Sequence, residues 1–181
     1  MRSLKILLLS AFIILASNAV SAQAFGVRAG ANISDISVNG LNTDAKTGLY
    51  VGVYKEIPLV KSLLFIQPEI QYSQEGFSTP TTDVKIDYIT VPILAKVYAV
   101  KLLSFETGPQ FGFPISDNLD NFVALKNLDT NSVVTSWAFG MSLNLPLGLS
   151  INGRYISSLN DTFDNVDGKN QVFQVGAAFQ F

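Results

Sequence analysis

A chain of 181 residues with 12 Lys+Arg against 14 Asp+Glu, and no basic stripe, lacks the electrostatic footprint of a nucleic-acid binder. It contains neither cysteine nor histidine, which excludes disulfides, thiolate or imidazole metal sites, lipidation at a cysteine, and Ser-His or Asp-His catalysis. Mean hydropathy is positive at +0.32, yet no stretch after the N-terminus approaches the roughly 20 apolar residues of a membrane-spanning helix, so the apolar residues are dispersed by alternation.

Residues 1–22 read as a secretory signal that is cleaved. Arg2 and Lys5 form the charged region, Ile6 to Ala16 the apolar stretch, and Val20-Ser21-Ala22 the small residues of a cleavage site. A transmembrane anchor is the rival reading, but about a dozen apolar residues are too few. The remainder, 23–181, is one domain.

Eight amphipathic strands follow in order. The first, about Phe25 to Ile33, sets Phe25, Val27, Ala29, Ala31 and Ile33 against Gly26, Arg28, Gly30 and Asn32. The second sets Leu49, Val51 and Val53 against Gly48, Tyr50, Gly52 and Tyr54, and Pro58 to Ser62 turns the chain. The third opposes Leu64, Ile66, Pro68, Ile70 and Tyr72 to Gln67, Glu69, Gln71 and Ser73, and a Gly76–Pro80 loop closes it. The fourth opposes Ile89 to Val97 to a face with Thr90 and Lys96, and the fifth opposes Leu103, Phe105, Thr107, Pro109, Phe111 and Phe113 to Glu106, Gly108, Gln110 and Gly112. After a long polar stretch from Pro114 to about Asn131, the sixth carries Trp137, Phe139, Met141 and Leu143, and the seventh opposes Leu149, Ile151 and Tyr155 to Ser150, Asn152 and Arg154. The last, Lys169 to Phe181, aligns Phe173, Val175, Ala177, Phe179 and Phe181 on one face.

Connections that alternate long and short across an even strand count predict an eight-stranded antiparallel up-and-down transmembrane β-barrel in the bacterial outer membrane, with both termini periplasmic. The glycines decide which face looks inward. They crowd the polar faces beside the charged residues, as the narrow lumen of an eight-stranded barrel requires. Buried charges must be paired, so Arg28, Lys96 and Arg154 are expected to meet Glu69 and Glu106 in a luminal polar network, with Gln67, Gln71, Gln110, Gln174, Tyr50 and Tyr54 around them. Pro68, Pro92 and Pro109 fall within strands and predict bulges there. Phe173, Phe179 and Phe181 have the look of an assembly signal read by the barrel-assembly machinery, and Trp137, Tyr155, Phe105 and Phe179 that of an aromatic girdle.

The segments G-V-R-A-G-A-N-I-S, L-F-I-Q-P-E-I-Q-Y-S-Q-E-G, I-D-Y-I-T-V-P-I-L-A-K, F-E-T-G-P-Q-F-G and V-F-Q-V-G-A-A-F-Q-F resemble the outer-membrane β-barrel domain common in Bacteroidetes, often labelled porin family or PorT-like. The resemblance covers essentially the whole mature chain and implies that the three prolines are tolerated. Thr90 departs from it, standing where the family pattern has Glu, which removes an acid from the lumen.

No metal, cofactor or enzymatic activity is expected. Glu69 with Glu106 could do glycosidase-like work, but both lie on faces rich in cations, and luminal structure is the stronger reading. Asp117, Asp120, Asp129, Asp161, Asp164 and Asp167 match no calcium-loop spacing and read as a solvated face. The chain is therefore expected to be a small barrel in outer-membrane lipid with a polar plugged lumen, acting as a structural or partner-binding module through extracellular loops. The alternative is porin-like transport of a small solute, and a weaker one a soluble barrel carrying an apolar ligand.

Overall fold

In the computed structural model, residues 24–38, 44–79, 82–117, 133–160 and 168–181 are described. The expected signal segment 1–22 lies outside them, as do Asp120, Asp129, Asp161, Asp164, Asp167 and the side chain of Asp117. Eight strands form in chain order: β1 Ala24–Val38, β2 Asp44–Val60, β3 Leu64–Thr79, β4 Thr82–Val100, β5 Leu103–Asp117, β6 Val134–Asn144, β7 Leu149–Ser158 and β8 Gly168–Gln180. Each pairs antiparallel with the next, and β1 pairs with β8, so the sheet closes into a barrel with no free edge.

The strands form because alternate side chains have opposite solvents. Along β7, Leu149, Ile151 and Tyr155 are exposed while Ser150, Asn152, Arg154 and Ser158 are buried. Val27, Val51, Ile93, Phe105, Phe139, Met141, Val175 and Phe179 extend the same apolar exterior around the barrel. The outward run of β5 from Leu103 to Phe113 covers about 33 Å of strand, or about 25 Å at a tilt near 40°, the height of an outer-membrane apolar band.

Two expectations are corrected. The expected Gly76–Pro80 loop is strand from Gly76 to Thr79: β3 and β4 stay paired to Thr79 and Thr82, with Gly76 opposite Lys85 and Phe77 opposite Val84. Above the apolar band the exterior meets water, so the pattern inverts. Phe77, Val84 and Ile86 are fully buried there, while Lys85 is exposed on the outside. A strand extension in which apolar now means inward looks like a loop to a reader following the lipid face. The connection between β3 and β4 is accordingly short, unlike those before β6 and β8.

The second correction concerns the prolines. The register is the same before and after Pro68 (Pro68 opposite Ile93, then Gln71 opposite Thr90), and Pro92 opposite Gln110 and Pro109 opposite Trp137 keep their ladders in step. The shifts lie elsewhere, between Ala45 and Tyr50, Pro58 and Val60, Asp87 and Tyr88, and Tyr98 and Val100. Losing a ladder bond at a proline thus needs no inserted residue here; the bulges sit towards strand ends, where twist is absorbed more easily.

Candidate functional site

The lumen holds the charged residues. Arg28 on β1, Glu69 on β3, Glu106 on β5 and Arg154 on β7 come from alternate strands and meet inside the barrel, each almost wholly buried. Arg154 is the hub. Its Nε donates to Glu106 Oε1 at 2.8 Å, its Nη1 to Glu69 Oε2 at 2.9 Å and its Nη2 to Glu69 Oε1 at 2.8 Å, and Nη2 lies 2.6 Å from Glu106 Oε1. Arg28 donates from Nη1 to Glu69 Oε1 at 2.8 Å, approaches Glu106 Oε1 at 3.7 Å, and donates from Nη2 to Asn152 Oδ1 at 2.6 Å. Two guanidiniums and two carboxylates make a neutral set. The fork geometry of arginine lets one cation serve two acids, which removing either cation would undo.

Neutral groups finish the packing. Gln67 donates to Glu69 Oε1 at 2.6 Å, Gln71 donates to Glu69 Oε2, and the Tyr50 hydroxyl donates to Asn152 Oδ1 at 2.9 Å. The ring of Tyr50 also lies 5.7 Å from the Arg28 guanidinium carbon. Space for these large groups comes from glycine. Gly30 and Gly176 face each other across β1 and β8 beneath Tyr50, and a Cβ on Gly30 would stand 2.6 Å from the Cα of Gly176. A Cβ on Gly140 would stand 2.7 Å from Glu106 Oε1.

Lys96 is inward as expected, but its partner is not. It sits opposite Glu106 in the ladder, yet its Nζ pairs with Glu56 Oε1 at 2.6 Å, and Tyr98 donates to both oxygens of Glu56 at 3.1 and 3.0 Å. Glu56 was missed because the segment before Pro58 reads as the start of a turn; continuing the Tyr54 phase by two residues would have found it. Towards the loop end, the buried Glu75 accepts from Ser73 at 2.8 Å and from Asn170, while Asn32 donates to Ser73 at 2.9 Å. One register step from the charged set, Leu94, Ala138, Ile156 and Val172 form an apolar layer across the lumen.

Beside the charged set, among the described residues, the space is small. A cavity of about 10 Å³ is lined by Arg28, Tyr54, Gln67, Lys96, Glu106, Ser142, Ser150, Asn152 and Ala178, enough for about one water molecule. Both oxygens of Glu69 are engaged by guanidiniums, Glu106 Oε1 is held by Arg154, and Glu106 Oε2 accepts from Gln67 at 3.4 Å. Among the described residues no group of His, Cys, Asp and Glu is placed to hold a metal ion. The girdle residues Trp137, Tyr155, Phe105 and Phe179 are all exposed on the barrel exterior; Trp137 Nε1 donates to Thr107 at 2.9 Å and the Tyr155 hydroxyl to Gln171 at 3.1 Å. Phe173 and Phe179 are outward on β8, and Phe181 extends past it, its ring 5.8 Å from that of Phe179.

A closed barrel that is apolar outside and charged inside is a membrane-spanning β-barrel of the outer-membrane class. The chain belongs to the outer membrane protein beta-barrel domain family, whose model matches residues 16–164. No curated protein matches the sequence. Among solved structures it is similar to Neisserial surface protein A (13% identity, TM-score 0.61, covering 89% of this chain and 100% of that one). It is similar also to Ail, the attachment invasion locus protein of Yersinia pestis (14%, 0.57, 89% and 100%), and to OprG of Pseudomonas aeruginosa (13%, 0.53, 88% and 96%). At these identities the likeness is one of fold. The chain is thus a small outer-membrane barrel with a charged interior.

Proposed function

We propose that this protein is a closed outer-membrane scaffold: its lumen is a plug, and it works without catalysis, as a structural or partner-binding module at its loop end. The observation that carries this reading is the Arg28, Glu69, Glu106 and Arg154 set, which spans the lumen beside a cavity of about 10 Å³. Two further features support it: the Leu94 layer closes the next level, and the β3–β4 hairpin carries buried Phe77 and Val84 beyond the apolar band, giving the loop end a rigid platform. In this reading both termini face the periplasm, Phe173, Phe179 and Phe181 present β8 to the barrel-assembly machinery, and the finer kinship is to the porin-family, PorT-like barrels of Bacteroidetes.

Proteoliposomes loaded with an impermeant osmolyte and diluted into isotonic arabinose test the plug. Swelling no faster than in protein-free vesicles is the expected result. A rate that rises with the amount of inserted protein would replace the scaffold with porin-like transport of small solutes. Orientation is read separately, from a peptide tag placed before Ala24: antibody should reach it only after the outer membrane is permeabilised.

A further inference from the structure

The three turns at one end of the barrel are made of residues that a water-facing turn does not favour. They join β2 to β3, β4 to β5 and β6 to β7, and read P-L-V-K-S-L-L, A-V-K-L-L and N-L-P-L-G-L. Aspartate is absent from all three, and one asparagine, one glycine and one serine stand among leucines and valines, where turns ordinarily draw on Gly, Asn, Asp and Ser. Leu59, Val100 and Leu102 are exposed, and Leu147 is 88% exposed. Leu147 also has φ 67°, a left-handed conformation that Asn or Gly adopts at less cost, followed by Gly148 at φ 79°. A leucine is therefore held in an unfavourable backbone state with its side chain off the end of the barrel.

The charged side chains exposed on these turns have one sign. Lys61 and Lys101 are exposed at the turn tips, and the turns carry no carboxylate. Glu56, the acid nearest in sequence to the first turn, is buried and paired with Lys96. The long connections at the opposite end, residues 118–132 and 161–167, carry five aspartates against Lys126. The apolar turns also continue the lipid-facing band without a break, since Val97, Phe105, Leu143 and Leu149 beside them are exposed on the barrel exterior.

We propose that the short-turn end is an interfacial anchor: Leu59, Val100, Leu102 and Leu147 sink into the headgroup–acyl boundary of the phospholipid leaflet at that end, and Lys61 and Lys101 take lipid phosphates. Apolar side chains beside snorkelling lysines are the chemistry of a surface that lies in the interface and does not project through it. That this leaflet is the inner one rests on the orientation proposed above; the anchoring itself does not. Fixing this rim in the interface sets the depth of the barrel.

The test uses the full mature chain in vesicles of phosphatidylethanolamine and phosphatidylglycerol. Trp137 is the single tryptophan, so Leu147→Trp and Leu102→Trp, each with Trp137→Phe, report from the turns alone. The proposal expects short-wavelength emission, strong quenching by lipids brominated near the headgroup and weak quenching by acrylamide. Emission as in water, with acrylamide quenching and no effect of bromolipid, overturns it and would point to a soluble periplasmic partner for this rim. Lys61→Gln with Lys101→Gln should reduce the preference for anionic over zwitterionic vesicles by about thirtyfold, from the loss of two cations at the surface; an unchanged preference removes the phosphate contacts. Because the chain lacks cysteine, Leu147→Cys labelled with an impermeant maleimide on intact cells separates the two failures: labelling there refutes the orientation and leaves the bromolipid result to judge the anchor.

Discussion

Arg154 holds the interior together because one guanidinium answers two acids. Its five donors are fixed in a plane, and three nitrogens of that plane are within 2.9 Å of carboxylate oxygens on β3 and β5. Replacing it with Ala leaves Arg28 to balance Glu69 and Glu106 alone, at 2.8 and 3.7 Å. Arg154→Ala should therefore destabilise the barrel by about 3 kcal/mol, read from urea unfolding in lipid vesicles. Arg154→Met combined with Glu106→Gln should recover part of that loss, since the double replacement removes the uncompensated charge; a double variant no better than the single one would mean that the cost is packing and not charge. These four residues were legible as a group, because each sits on the polar face of its strand and the signs complement one another. The partner of Lys96 was not: one-dimensional reading gives the face of a side chain but not how far it reaches along the axis, and Lys96 reaches past Glu106 to Glu56.

At the level of the strand, the alternation has an unusual sign. In β7, Ile151 is 52% exposed beside the buried Asn152, the reverse of a soluble core. Ile151→Arg makes that reversal measurable. On a water-soluble barrel it would be close to neutral, as surface substitutions are; on the lipid face it should be destabilising, by more than the ~0–1 kcal/mol of the interface and less than the ~2–4 kcal/mol of the bilayer midplane, by equilibrium unfolding from vesicles. Within the apolar band the strands were readable to within a residue or two, because lipid and lumen impose a strict two-residue period. Beyond the band the period survives and its phase inverts, which is why the upper part of the β3–β4 hairpin, with buried Phe77, Val84 and Ile86, could not be told from a loop. The C-terminal strand raises a separate expectation. Phe181 is 71% exposed and its backbone N–H still bonds to the Phe25 carbonyl at 2.9 Å, so its deletion should change the fold little while slowing insertion into the outer membrane. Unchanged surface amounts in cells would show that the aromatic end is not read during assembly.

Across the whole molecule, closure of the sheet determines the rest. Eight strands give a lumen that side chains can fill, and the charged set, the Glu56 pair and the Leu94 layer lie inside it. The apolar belt fixes the environment and the family match fixes the class, while the loops and the lysine-tipped turns make the two ends chemically unlike. The measurement that bears most directly on the plugged lumen is single-channel current through the mature chain in a planar bilayer, after protease protection has established insertion, beside the Glu69→Ala, Arg154→Ala double variant. The wild-type barrel should be silent and the double variant should show openings, since two of the four charged side chains that span the lumen are then gone. Steady, reproducible conductance steps from the wild-type chain would contradict the plug and make the protein a pore.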